Sequence, residues 1–171
     1  MQKVVILGST GSVGKSSLEV IEKNKGNYEV VCLVAFSNKD LINEQAKRHK
    51  KAKIYIEKSR DKTSSKQIIN KNSLLKLISG KDVDTVIAAI SGSDGLALVH
   101  HSIISGKKVL IANKEPLVMA GEFLVNEAKK HGAKIIPIDS EHCSIHQSIQ
   151  GKKENSISKI TLTCSGGPFY G

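Results

Sequence analysis

Four short polar clusters carry the residues that can do chemistry in this 171-residue chain. Gly8-Ser9-Thr10-Gly11-Ser12-Val13-Gly14 is a glycine loop, spaced so that backbone N–H groups can face an anion. Asn113-Lys114-Glu115 joins an amide, an ammonium and a carboxylate, and Asp139-Ser140-Glu141-His142 sets two carboxylates at i and i+2. Such a carboxylate pair suits a hard divalent cation that prefers oxygen. His142 and His146, four apart, raise zinc as an alternative, but no four-ligand cysteine and histidine pattern accompanies them. The same acidic cluster also reads as a helix cap. A fourth cluster, Ser165-Gly166-Gly167-Pro168, is a donor-rich turn able to cradle a phosphate, or simply a turn.

Each cluster needs a strand to deliver it. Short β-branched runs at 4–7, 28–35, 53–56, 85–89, 108–112 and 134–138 alternate with segments of helical spacing at 16–21, 40–49, 74–79, 95–105 and 117–130. That alternation predicts an α/β fold, a Rossmann-like doubly wound and mostly parallel sheet. The 117–130 segment closes on Lys129-Lys130-His131-Gly132, cations followed by a left-handed glycine cap. Residues 58–72 are polar and read as an exposed connection. Beyond 138 the pattern changes to a helical stretch at 144–150, a polar loop and a strand at 157–164. We read 1–138 as the dinucleotide-binding domain and 139–171 as the beginning of a second, α+β catalytic domain.

The glycine loop follows the first strand and opens the first helix, which is where a dinucleotide fold seats its pyrophosphate. Ser9 stands where the commoner spacing has a glycine. The ending Gly14-Lys15-Ser16 is like that of a nucleotide-triphosphatase loop, but that motif requires glycine at position 9 and so fails. After the second strand comes Phe36-Ser37-Asn38-Lys39, with no acid before Asp40. An NAD site wants an acid there for the ribose 2′-hydroxyl, so hydroxyl, amide and ammonium groups favour NADP. Asp40 doubles as an expected helix cap. Asn113, Lys114 and Glu115 fall where open α/β sheets bind ligands, and they also read as a helix start with Pro116 in its first turn.

Composition bounds the alternatives. The formal charge is +10, yet all but Arg48 and Arg60 of the 26 basic residues are lysine and tryptophan is absent. Base readout leans on arginine and single-strand binding on aromatic platforms, so the lysines read as a solvated surface that attracts anions. No apolar run is long enough for a membrane helix. Three widely spaced cysteines argue against a disulfide framework and for a reducing compartment. The chain opens directly on a strand without a visible targeting segment, so a bacterial-type cytoplasmic protein is expected, or a plastid-like organelle after removal of a transit peptide.

Taken together, and in this order, the glycine loop, Ala112-Asn113-Lys114-Glu115, Asp139-Ser140-Glu141-His142 and Ser165-Gly166-Gly167-Pro168-Phe169 closely resemble the 1-deoxy-D-xylulose 5-phosphate reductoisomerase family. The resemblance covers essentially the whole chain and implies its N-terminal part, since complete family chains are well over twice as long. It implies an NADPH-dependent oxidoreductase that converts 1-deoxy-D-xylulose 5-phosphate to 2-C-methyl-D-erythritol 4-phosphate, in the non-mevalonate route to isoprenoids. Thr10, Gly11, Ser12 and Val13 then bind the NADPH pyrophosphate, Ser37 and Asn38 its 2′-phosphate, and Asn113 and Glu115 the rest of the cofactor. Lys114, Ser140, Glu141 and Ser165 touch the phosphorylated sugar. Asp139 and Glu141 hold Mg²⁺, Mn²⁺ or Co²⁺, and with Lys114 they form the catalytic set. His142 belongs to the motif with no direct role assigned. Phe36 and Ser37 depart from the family's common glycine and lysine, and Lys39 is a substitute charge.

The resemblance further implies a homodimer of the full-length protein, with neither nucleic acid nor membrane as partner. A third carboxylate ligand, the remaining phosphate contacts and a lid lie beyond the last motif in the family. These 171 residues are therefore expected to bind NADPH without turning over substrate. A Rossmann redox sensor with no chemistry, another NADP oxidoreductase and a nucleic-acid binder are the competing readings. Metal-dependent ligand binding and salt-dependent nucleic-acid binding separate them.

Overall fold

The computed structural model describes residues 1–58, 67–153 and 156–162. Six strands, β1 (Gln2–Leu7), β2 (Tyr28–Ala35), β3 (Lys53–Ile56), β4 (Thr85–Ala88), β5 (Lys108–Ile111) and β6 (Lys134–Pro137), form one sheet in the order β3-β2-β1-β4-β5-β6. Every pairing is parallel, so the mostly parallel sheet expected from the sequence is wholly so. The order reverses between β1 and β4, which creates the crevice at which such sheets bind ligands.

The strands are rich in β-branched residues because both sheet faces are buried. On β1, Val5 and Leu7 join one core while Val4 and Ile6 join the other. Helices α1 (Ser12–Lys23) and α2 (Lys39–Arg48) cover the second core with Leu18, Ile21, Ile42 and Ala46. Helices α3 (Lys71–Ser79), α4 (Leu96–Ile104) and α5 (Glu115–His131) cover the first with Leu74, Ile78, Leu98, Val99, Ile103 and Leu124. Each fully buried Leu or Ile contributes about 1.5–3 kcal/mol to holding this arrangement.

The helix boundaries follow cap chemistry. Asn38, not Asp40, caps α2, its Oδ1 accepting from the Leu41 N–H at 3.1 Å, and Asp40 lies in the first turn. Asn70 caps α3 through the Ser73 N–H at 2.9 Å, starting that helix three residues before the apolar spacing does. α5 ends on Gly132 at φ 67°, the left-handed cap expected. Of the polar stretch 58–72, Gln67 and Ile68 bind back to β3 and its approach, through Gln67 Nε2 to the Lys50 and Ala52 carbonyls and an Ile54–Ile68 bridge.

Two expectations for the C-terminal part change. Helix α6 spans Ser140–Ile149, earlier than 144–150, because Asp139 caps it. Residues 157–162 are not a strand: no strand among the described residues pairs with them, and Ile160 and Leu162 remain about half exposed. Positions 163 and 164, and the Ser165-Gly166-Gly167-Pro168-Phe169 turn, lie outside the described residues. No helix among the described residues is long and apolar enough to cross a membrane.

Candidate cofactor and metal site

The site is built along one edge, at the carboxyl ends of β2, β1, β4, β5 and β6. At roughly 4.8 Å per strand, these ends span roughly 19 Å.

The glycine loop occupies the β1 position. Gly8 takes φ 84°, and a Cβ there would lie 2.4 Å from the Ala89 carbonyl oxygen. Its N–H and that of Ser9 both donate to the Val34 carbonyl at 2.9 Å, locking the loop against β2. A Cβ on Gly14 would lie 2.3 Å from the Gly8 oxygen, so only glycine lets α1 pack this close. Ser9, at the position where the sequence departs from the commoner glycine spacing, is fully buried. Its carbonyl accepts from Gln45 Nε2 at 2.8 Å, so Ser9 braces the loop from behind. Thr10 to Val13 form the open front, with Gly11 and Ser12 exposed. The N-cap Gly11 offers no side-chain cap and the first turn of α1 holds no acid. That helix end presents unsatisfied N–H groups and a positive dipole end to any anion.

At the β2 end, Phe36, Ser37 and Asn38 are all exposed. The Asn38 carbonyl oxygen is committed to capping α2, so recognition by Asn38 falls to its amide nitrogen.

At the β5 end, Glu115 opens α5 with Pro116 behind it, as the helix-start reading requires. Glu115 Oε1 also accepts from the Gly92 N–H at 3.1 Å, tying the loop after β4 to this helix. Its own N–H, and then that of Gly92, hold its carboxyl below the usual carboxylate range. The Asn113 side chain lies beside Gly95, and neither amide atom meets hydrogen-bonding geometry with a partner among the described residues, although both are buried. Behind those two N–H groups, the Asn113 amide also helps to lower the Glu115 carboxyl, so it lies close to that carboxylate even without meeting strict hydrogen-bonding geometry.

At the β6 end, Asp139 Oδ2 caps α6 through the His142 N–H at 3.2 Å, while His142 Nδ1 donates to the same carboxylate at 2.9 Å. Nδ1 of His142 also meets Asp139 Oδ1 at 3.0 Å, and the capping reading of Asp139 holds. His142, to which the resemblance assigned no direct role, is the hydrogen-bonding partner that orients Asp139. Glu141 accepts from Lys114 Nζ at 2.7 Å and from Ser140 Oγ at 2.8 Å. Lys114 first, and Ser140 second, push the Glu141 carboxyl down to about 2. Glu141 and Ser140 stand at the head of a cleft of about 730 Å³ between α6 and residues 157–162, with Lys152 and Lys159 on its walls.

The donor chemistry fits a hard cation: Asp139 and Glu141 are oxygen ligands two residues apart. No group of three ligating side chains forms among the described residues, and His146 does not join one. The structure brings Lys114, at the β5 end, into contact with Glu141 at the β6 end, where Asp139 lies two residues earlier in the chain. The glycine loop stands three strand positions away, roughly 14 Å.

This fold and edge define a chain of the Rossmann-like α/β class. Solved structures of a putative homoserine dehydrogenase and a biliverdin reductase share that fold, at 20% and 19% identity and TM-scores of 0.55 and 0.58. A family model described as 1-deoxy-D-xylulose 5-phosphate reductoisomerase matches residues 4–121, and one for the C-terminal domain of that enzyme matches 135–171. The chain belongs to the 1-deoxy-D-xylulose 5-phosphate reductoisomerase family.

Relatives bearing that name from Glaesserella parasuis and Thermodesulfovibrio yellowstonii are 39% and 42% identical over 99% and 100% of this chain. A crystal structure of the reductoisomerase in complex with NADPH, fosmidomycin and magnesium matches 89% of the chain at 38% identity and a TM-score of 0.79, and covers 41% of that chain. The present chain spans about half the length of these curated relatives, 48% and 47%.

Proposed function

We propose that this chain carries the NADPH-binding half, and the first part of the metal and substrate site, of a 1-deoxy-D-xylulose 5-phosphate reductoisomerase. The whole protein converts that phosphorylated sugar to 2-C-methyl-D-erythritol 4-phosphate. The observation that carries this reading is the Lys114–Glu141 pair, which joins the β5 and β6 ends on the edge that also bears the open glycine loop. Relatives crystallised with NADPH and magnesium support it.

Thr10, Gly11, Ser12 and Val13 hold the pyrophosphate with the uncapped end of α1. Ser37 and Asn38 face the adenosine end, and Asn113 and Glu115 the nicotinamide side. Asp139 and Glu141 supply two oxygen ligands to a divalent cation, and His142 keeps Asp139 turned toward it. Lys114, Ser140 and Glu141, with Ser165, hold the sugar phosphate. When bound, the cation polarises the substrate's ketone and adjacent hydroxyl oxygens while NADPH supplies the hydride. The Lys114 ammonium lowers the Glu141 carboxyl further, so Glu141 stays an oxygen anion well into the acid range. The remaining ligands and phosphate contacts belong to parts of the family chain outside these residues. We place the domain boundary near 138, where β6 hands over to the Asp139 cluster.

Calorimetry with NADPH and with Mn²⁺ on the 171-residue chain tests the reading. NADPH binds, Mn²⁺ binding is lost in Asp139→Ala, and no 2-C-methyl-D-erythritol 4-phosphate forms. NADPH binding with Mn²⁺ indifferent to Asp139 reduces the chain to a cofactor-binding module. Turnover by the chain alone refutes the division of the active site.

A further inference from the structure

The adenosine end of the site holds a cation that sequence spacing did not single out. Past the last paired residues of β2 and β3, the chain continues side by side: the Glu57 N–H donates to the Ala35 carbonyl at 3.1 Å and the Lys58 N–H to the Phe36 carbonyl at 2.8 Å. This register carries Lys58 Nζ to 4.6 Å from the centroid of the Phe36 ring. Phe36 is 45% exposed although its ring is apolar. It lines a cleft of about 220 Å³ at the ends of β2 and β4, with Val34, Ile90, Ala97 and Leu98 as the apolar walls. That volume is below the range of whole drug-sized sites, so the cleft suits a single ring system rather than a dinucleotide.

Two acids border this cleft, Glu57 and Asp94. Both oxygens of Glu57 are engaged, one by the Tyr55 hydroxyl at 2.7 Å and the other by Lys71 at 3.7 Å. No acid stands at the end of β2, where a carboxylate would accept from a ribose 2′-hydroxyl and repel a 2′-phosphate. A lysine held over an aromatic face gives up part of its rotamer freedom before a ligand arrives. The charge over Phe36, itself a wall of the cleft, is thereby pre-organised.

We propose that Phe36 is the wall against which the adenine of NADPH packs and that Lys58, from the end of β3, is the cation that selects its 2′-phosphate. This rests on the reading that the chain binds NADPH, and it adds a specificity-determining residue from outside the loop between β2 and α2.

Binding of 2′,5′-ADP and 5′-AMP, which differ only in the 2′-phosphate, tests it by calorimetry on the 171-residue chain, with circular dichroism confirming that each variant is folded. The wild-type chain binds 2′,5′-ADP more tightly. Lys58→Ala weakens 2′,5′-ADP by about tenfold or more and leaves 5′-AMP within about twofold, as expected for loss of one charge-assisted contact. Lys58→Arg retains most of the preference. Phe36→Ala weakens both nucleotides alike. A Lys58→Ala chain that keeps its full preference for 2′,5′-ADP overturns the assignment while leaving NADPH binding intact. A Phe36→Ala chain that binds 5′-AMP normally removes the ring from the site. A wild-type chain that binds neither nucleotide nor NADPH sinks both this assignment and the cofactor reading.

Discussion

Lys114 Nζ lies 2.7 Å from Glu141 Oε2, across 27 residues of chain, and this contact ties the start of α5 to the first turn of α6. Because Lys114 is the main cause of the low Glu141 pKa, Lys114→Met moves the carboxyl from about 2 back toward its ordinary 4.5. A carboxyl depressed in the folded state adds stability above its unfolded value, and that contribution disappears as pH falls through about 2. Carboxylate NMR titration of both chains reads the shift. An unchanged midpoint in Lys114→Met dismisses the ion pair.

Cys32 and Cys143 are both free thiols, and burial separates them. Cys32 is fully buried, which pushes its thiol up to about 12, whereas Cys143 is half-buried on α6. Thiol reagents label Cys143 in the folded chain and leave Cys32 intact until unfolding, which peptide mass spectrometry resolves. The stabilising effect of a buried neutral thiol is complete below its ordinary 9.0 and declines as pH rises toward about 12. The urea midpoint of the wild-type chain therefore falls more steeply above pH 9.0 than that of Cys32→Ala. Equal slopes contradict this.

Much of this fold is legible in the sequence because its causes are local. Val4–Leu7 and Val30–Ala35 are apolar at every position because both faces of a parallel sheet are covered, and Gly132 stops α5 by its own conformation. Three of the site motifs, the glycine loop, Asn113-Lys114-Glu115 and Asp139-Ser140-Glu141-His142, are legible for the same reason, as each follows the end of a strand. What escapes is set by partners far along the chain. Gln45 reaches Ser9 across 36 residues and turns an apparent defect in the glycine spacing into a brace. Lys58 meets Phe36 only because β3 pairs with β2. The expected strand at 157–164 rested on local β-branching, and over its described part, 157–162, that preference yields because no strand among the described residues offers it hydrogen bonds.

The glycines of the loop divide into folding and binding positions. Gly14→Ala forces a Cβ to 2.3 Å from the Gly8 oxygen and 2.6 Å from Ser9 Cα, both backbone atoms, and costs about 1–3 kcal/mol. Gly11 has φ −75° and its nearest neighbour to an added Cβ is at 3.4 Å, so Gly11→Ala folds with little change in Tm. The methyl then stands at the open front of the loop, and the Kd for NADPH rises by about tenfold or more. Thermal melts and NADPH fluorescence titrations measure the two effects. If Gly11→Ala binds NADPH as the wild-type chain does, the pyrophosphate does not lie there.

Asn113 gives the sharpest separation of stability from binding. Its Oδ1 and Nδ2 are buried beside Gly95 and meet no strict hydrogen-bonding geometry among the described residues, and the amide's contact with the Glu115 carboxylate is a minor contributor there, so most of their desolvation is uncompensated in the folded chain. Removing an unsatisfied polar group is close to neutral or slightly stabilising, whereas removing a satisfied one typically costs about 1–3 kcal/mol through its abandoned partner. Asn113→Ala is therefore expected to change unfolding stability by less than about 1 kcal/mol. The same change removes the donor and acceptor that a bound cofactor would satisfy, and weakens NADPH by about tenfold. Urea denaturation with and without saturating NADPH reads both quantities in one experiment, since ligand binding adds stability in proportion to the logarithm of its affinity. A large loss of stability without NADPH, and an unchanged increment with it, makes Asn113 a structural residue of the β5 end rather than a cofactor contact.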